Sequence, residues 1–210
     1  MSLALAAGAG WLASGASQAP ATAKEPRFPQ LTLEQLNEQQ RPLGEKIMKI
    51  SSVGIGGPYN PLLRSPVLAS RMYDLLEYLR WNSSLPPRLS ELAILIQARL
   101  WRSQVEWYAH YPLALKAGLS EQVAADLKAN KRPTGMKPDE EAAYDLCMDL
   151  STKHEVSDEV FNRAKQVLGE QQVVDLIGIS GTYITVAMIL SAAEAGVPAG
   201  KELPFKPGEP

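Results

Sequence analysis

Only one cysteine, Cys147, occurs in the 210 residues, and its isolation excludes an intrachain disulfide, a paired-thiol redox centre and a thiolate zinc cluster together. Imidazole is almost as scarce. His110 and His154 are the only histidines, too few for a histidine-rich metal site. Charge of one sign is lacking as well: 21 Lys+Arg against 23 Asp+Glu leave a formal net charge of −2, without the basic footprint that nucleic-acid binding needs. No segment alternates polar and apolar residues with a period of two, so strands are not expected and the fold class is all-α. Long apolar runs are few. Leu3 to Ala13 is shorter than the roughly 20 residues of a membrane span, and Gly178 to Ala195 is interrupted by Ser, Thr and Gly within an amphipathic pattern; no stable span is expected. Gly54, Gly56 and Gly57 follow no strand and precede no Gly-Lys-Ser/Thr, so they read as turn chemistry and not as a phosphate cradle.

What is present is apolar content, 45% of the chain, enough for one sizeable core. Residues 1–23 stand apart. The apolar run from Leu3 is followed by a Pro/Ala stretch whose Ala21-Thr22-Ala23 offers an export-signal cleavage site, although the positively charged start of such a signal is missing. Export to the periplasm or outside is expected where that segment is a genuine signal, and a cytoplasmic location otherwise. Residues 24–198 form the helical domain, and 199–210 a Pro/Gly/Lys-rich extended tail. Within the domain, helices are expected from Thr32 to Ile50 with a kink at Pro42, from Pro66 to Arg80, from Arg88 to Leu100, and from Ser103 to Ala117 through Pro112. A short helix after Ser120, then Asp139 to Leu150, Ser157 to Leu168 and Glu170 to Ala195 complete the set. On the second of these, Val67, Met72, Leu75, Leu76 and Leu79 mark one buried face. Tyr73-Asp74-Leu75-Leu76 is echoed by Tyr144-Asp145-Leu146-Cys147, which suggests a two-fold helical pseudo-repeat.

Ionisable groups interrupt the apolar pattern between Glu91 and His110. Glu106 and His110 lie four apart, on one face of a helix and within reach of each other. A carboxylate raises an imidazole's pKa while burial lowers it, so such a pair can be poised near neutrality for proton transfer. Glu91 lies on the preceding, strongly apolar helix, where a buried carboxylate needs a partner from the facing one. Trp101, Trp107, Tyr108 and Tyr111 cluster at the same turn, and aromatics so spaced serve core or interface more often than ligand. Arg99 and Arg102 could grip a carboxylate bidentately, the alternative being ordinary solvated helix-end arginines. His154 reads as surface and Cys147 as a small buried hydrophobe.

An acidic residue on one helix, a short connection, and a second helix carrying a histidine before Ala117-Gly118-Leu119-Ser120 resembles the carboxymuconolactone decarboxylase-like superfamily, which includes alkyl hydroperoxidase D. The resemblance covers Tyr73 to Pro198. In the peroxidase branch the pattern is a glutamate, two cysteines and a histidine; laid on this chain these fall on Glu91, Ser103, Glu106 and His110, so both thiols are absent. Glu106 and His110 match the Glu-x-x-x-His of the decarboxylase branch. The resemblance implies a homo-oligomer (dimer, trimer or hexamer) with pockets near subunit contacts, no metal and no organic cofactor. It implies a lyase or isomerase acting on a small lactone or enolisable carboxylic acid, with His110 as general acid/base, Glu106 orienting and charging it, and Glu91 transferring a second proton or anchoring the pair. Arg102, Ser103, Trp107 and Tyr111 are the expected substrate-binding residues. Peroxidase chemistry, which needs a low-pKa thiolate and a resolving partner, is disfavoured. The competing reading is a non-enzymatic, exported helical protein that binds a small molecule or acts as a scaffold.

Overall fold

The computed structural model describes residues 26–51 and 54–206. The expected export signal lies outside these residues. Among them there are nine α-helices and no strand.

A single 3-10 turn, Leu33–Gln35, precedes α1 (Arg41–Ile50). Pro42 therefore opens a helix where we expected it to kink one, because its ring fits the first turn, whose N–H groups have no intrahelical acceptor. The glycine-rich loop contains a short α2 (Tyr59–Leu62) that periodicity does not reveal. Next, α3 (Pro66–Glu77) runs directly into a π-helical turn, Tyr78–Asn82. Met72, Leu76 and Leu79 of the expected apolar face are buried, but Val67 and Leu75 are exposed.

The centre of the molecule is α4 (Pro87–Leu100), buried continuously from Leu89 to Arg99. Proline at its start is pre-organised for the first turn, and helices on several sides cover it: α5 (Gln104–Lys116), α7 (Pro138–Met148) and α9 (Glu170–Ala192). Complete burial of Leu92, Ile94, Leu95 and Ile96 contributes about 1.5–3 kcal/mol for each side chain. Between these elements, α5 closes on Gly118 in a left-handed conformation, φ 95°, and Ser120 Oγ accepts from Val123 N at the start of α6 (Glu121–Lys128). Ser157 does the same for α8 (Asp158–Leu168). Arg88 bridges α4 to the first turn of α7 through Glu140 and, at 2.7 Å, Asp139.

The pseudo-repeat extends well beyond four residues. Helix α7, like α3, runs into a π-helical turn, here Asp149–Lys153. Tyr73 and Tyr144, the turn starts Tyr78 and Asp149, and the following helix starts Pro87 and Asp158 are all separated by the same number of residues. By length and composition α9 is the one described helix apolar enough to cross a membrane, and 56% of its apolar window is buried inside this fold. Among the described residues the tail carries no helix, but it is anchored: Phe205 is buried, its N–H donates to Gln104 Oε1 at 2.9 Å, and its carbonyl accepts from Gln104 Nε2 at 2.8 Å.

Candidate active site

Four elements converge on one buried imidazole. His110, in the second turn of α5, donates from Nδ1–H to Glu91 Oε2 on α4 at 2.7 Å. At Nε2 it meets the Tyr183 hydroxyl of α9 at 3.3 Å, ring edge to ring face with centroids 5.0 Å apart. Arg80, in the π-helical turn after α3, brings Nη2 to 3.9 Å from Glu91 Oε1. Burial pushes the imidazole's pKa down, the Glu91 hydrogen bond and charge pull it up, and the Arg80 cation pushes it down again; the balance is a lowered value. A neutral ring follows, with its proton on Nδ1 facing Glu91 and its Nε2 lone pair facing Tyr183. The Tyr183 phenol is itself shifted far upward by burial, so it stays protonated and is the donor in that contact.

Glu106, one turn before His110, does not pair with it. Glu106 is 2% exposed, its carboxyl oxygens accept no well-formed hydrogen bond, and burial pushes its pKa up to about 8 against the opposing pull of the nearby Ser103 hydroxyl. The expectation that Glu106 orients and charges His110 is therefore corrected. Their spacing of four allows the pair, but both ring nitrogens are already engaged by other helices, and an unpaired buried carboxyl stays protonated instead. Glu91 is the carboxylate bonded to His110, and Glu106 is a buried carboxyl one turn before it on α5.

The expected substrate-binding residues are not gathered at the imidazole. Arg102 is exposed on the α4–α5 turn in the left-handed region, φ 52°. Ser103 is the buried N-cap residue of α5. Trp107 stacks on Tyr111, centroids 6.2 Å apart, and receives Phe205 edge-on at 5.2 Å, so it carries the tail. Two residues that the sequence reading passed over belong to the site. Tyr183 had a signal: a phenol in a long apolar helix must find a partner for its hydroxyl. Arg80 had none, since an arginine near a helix end is ordinarily solvated. Two surface depressions, one beside Arg99, Leu127 and Tyr144 and one beside Leu33, Met48 and Ile55, share no lining residue with the site.

Cys147 lies elsewhere in the core. It accepts from Ser180 Oγ at 3.3 Å, and burial raises its thiol to about 11, which suppresses the thiolate. Among the described residues no group of His, Cys, Asp and Glu could hold a metal ion.

The arrangement defines a helical protein with a carboxylate–imidazole–phenol chain and a spare protonated carboxyl. Its fold is that of alkylhydroperoxidase D-like proteins. The chain is similar to the crystal structure of an alkylhydroperoxidase AhpD core, a peroxidase-related protein from Ralstonia eutropha JMP134, with a TM-score of 0.69 and 14% sequence identity, over 81% of this chain and 91% of that one. At that identity the likeness establishes the fold. No protein-family model matches the sequence, nor does any curated protein sequence.

Proposed function

We propose that the protein is a cofactor-independent acid–base catalyst, of the carboxymuconolactone decarboxylase-like lyase or isomerase type, acting on a small lactone or enolisable carboxylic acid. One observation carries the reading: a neutral, carboxylate-anchored imidazole lies one helical turn from a buried carboxyl that keeps its proton up to about pH 8. Base and acid are thus present together at neutral pH, which is what moving a proton off one atom and onto another requires. In an isomerisation, His110 Nε2 takes a proton from carbon, the electron pair enters the adjoining carbonyl as an enolate, and the Glu106 carboxyl returns a proton to a different carbon. Glu91 stabilises the imidazolium in the interval, and proton exchange resets both groups. In a decarboxylation the C–CO2− bond breaks, the pair is delocalised in the same way, and Glu106 protonates the carbon as carbon dioxide leaves. Hydroperoxide reduction has no nucleophile here, because Ser103 and Glu106 occupy the two expected thiol positions and Cys147 is buried and protonated.

We extend the proposal to two further properties. The chain self-associates through the uncharged outer face of α9 and the adjoining Leu75 of α3 and Tyr78 just after it, and residues 1–23 direct export. N-terminal sequencing of the protein from its native cell tests the second: a start just after Ala23 supports it, and retention of Leu3 to Ala13 refutes it.

The catalytic reading is tested by a pH-resolved turnover screen against carboxylated enol lactones, with His110→Ala as control. Turnover that falls by about 10²-fold or more in the control is the expected result. Activity that persists undiminished in His110→Ala refutes the role of the imidazole. Silence across the panel with the fold intact favours the binding-protein alternative.

A further inference from the structure

Arg80 is the one cation within the constellation, and its hydrogen-bonding capacity is largely unspent. Its Nε–H is buried and has no partner among the described residues. Its nearest carboxylate, Glu91, stands off at 3.9 Å and is committed through its other oxygen to His110 at 2.7 Å. A guanidinium satisfied by a carboxylate makes contacts of about 2.7–2.9 Å, commonly two in parallel. A desolvated donor left without an acceptor is costly, and such an orphan in a native fold calls for an explanation.

The surroundings supply one. The guanidinium lies over the Trp81 ring, its central carbon 4.7 Å from the ring centroid. The Arg80 side chain is 21% exposed against 9% for His110, so it is the member of the constellation most open to solvent, and half-buried Tyr59 lies close enough to feel its charge. Arg80 also occupies a π-helical turn, a geometry that inserts a residue into a helix and recurs at functional sites. At the equivalent place in the second half stands Ser151, whose hydroxyl accepts from Gln97 Nε2 at 2.9 Å within the core. The two halves share the turn and differ in what it presents.

We propose that Arg80 is the anion anchor of the site and that the ligand it selects is a small carboxylate, held by the guanidinium with its remaining atoms toward His110. The inference rests on the acid–base reading for what happens next, but the binding step stands by itself. It assigns to Arg80 the role that the sequence alone suggested for Arg102, which is exposed on the α4–α5 turn.

Benzoate, which cannot enolise, is the probe, with benzamide as its uncharged counterpart, followed by tryptophan fluorescence because Trp81 lies against the anchor. Saturable binding of benzoate, at least about tenfold weaker binding of benzamide, and a similar or larger loss in Arg80→Gln are expected. Arg80→Lys, which keeps the charge but not the fork, should recover part of the affinity. Equal binding of acid and amide by the unmodified protein overturns the proposal, and that comparison needs no variant to fold. Unchanged benzoate affinity in a folded Arg80→Gln also overturns it. Loss of binding in Arg80→Gln with no lactone ever turned over would keep the anchor and sink the catalytic reading; His110-dependent turnover with Arg80-independent binding would do the reverse.

Discussion

At the scale of the residue, Glu106 is the group whose behaviour departs most from its spacing. A free glutamate titrates near 4.5, and burial moves this one to about 8. Between those values the native state holds a proton that the unfolded chain has released, so stability falls as pH rises, by up to about 1.4 kcal/mol per unit. The contribution is complete below pH 4.5 and lost above pH 8. Glutamine has no such equilibrium. Glu106→Gln should therefore gain stability relative to the parent as pH rises from 5 to 8, by on the order of 3–4 kcal/mol, in urea unfolding at pH 5, 6.5 and 8. A constant difference across the range would mean that the carboxyl is ionised throughout and cannot serve as the acid. Legibility in sequence divides along the same line. Glu91 could be read because a carboxylate in an apolar helix demands a partner, and His110 because it lay four residues from Glu106 in the matching motif. The choice of partner could not be read, since it depends on how α4, α5 and α9 are rotated against one another.

At the scale of the element, the spacing of apolar residues located the long helices, because one buried stripe imposes a period near 3.6. The π-helical turns were invisible. Each extends a helix without changing its composition, and the first of them decides where Arg80 points. What holds that turn in place is Asp175 of α9, which accepts from Tyr78 Oη at 3.0 Å, Ser84 N at 3.0 Å and Ser84 Oγ at 2.7 Å. Tyr183 projects from the same helix two turns on, so one carboxylate registers the element bearing the phenol against the element bearing the guanidinium. Asp175→Ala leaves the half-buried Ser84 N–H without its acceptor and should cost about 1–3 kcal/mol in chemical denaturation. Turnover or benzoate binding should weaken while the folded state persists. A variant as stable as the parent would show that packing alone fixes the register.

For the whole molecule, the exposed surface is as informative as the core. Asp175 is the only charged residue between Glu170 and Ala192, and it is buried, so the outer face of α9 presents no charge. Val174 is 66% exposed on that face, and Ile177 and Met188 follow. Gly181 lies between them, exposed, with open space where a Cβ would project. Nothing among the described residues explains a helix-interior glycine that costs about 0.5–1 kcal/mol against alanine, whereas a second backbone approaching closely would. Tyr78, bonded to Asp175, and Leu75, one turn before it, continue the patch onto α3 and account for the apolar positions there that do not enter the core. An outer face of α9 that carries apolar residues and no charge suits a second copy of itself better than a charged partner. Light scattering of the purified protein should accordingly report a multiple of the 22.9 kDa chain mass. Ile177→Arg with Met188→Glu, both solvent-facing in the single chain, should reduce it to the monomer without loss of helicity. A parent protein that is monomeric at every concentration would leave the glycine unexplained and the site complete within one chain, since His110, Glu91, Tyr183, Glu106 and Arg80 all come from the same copy.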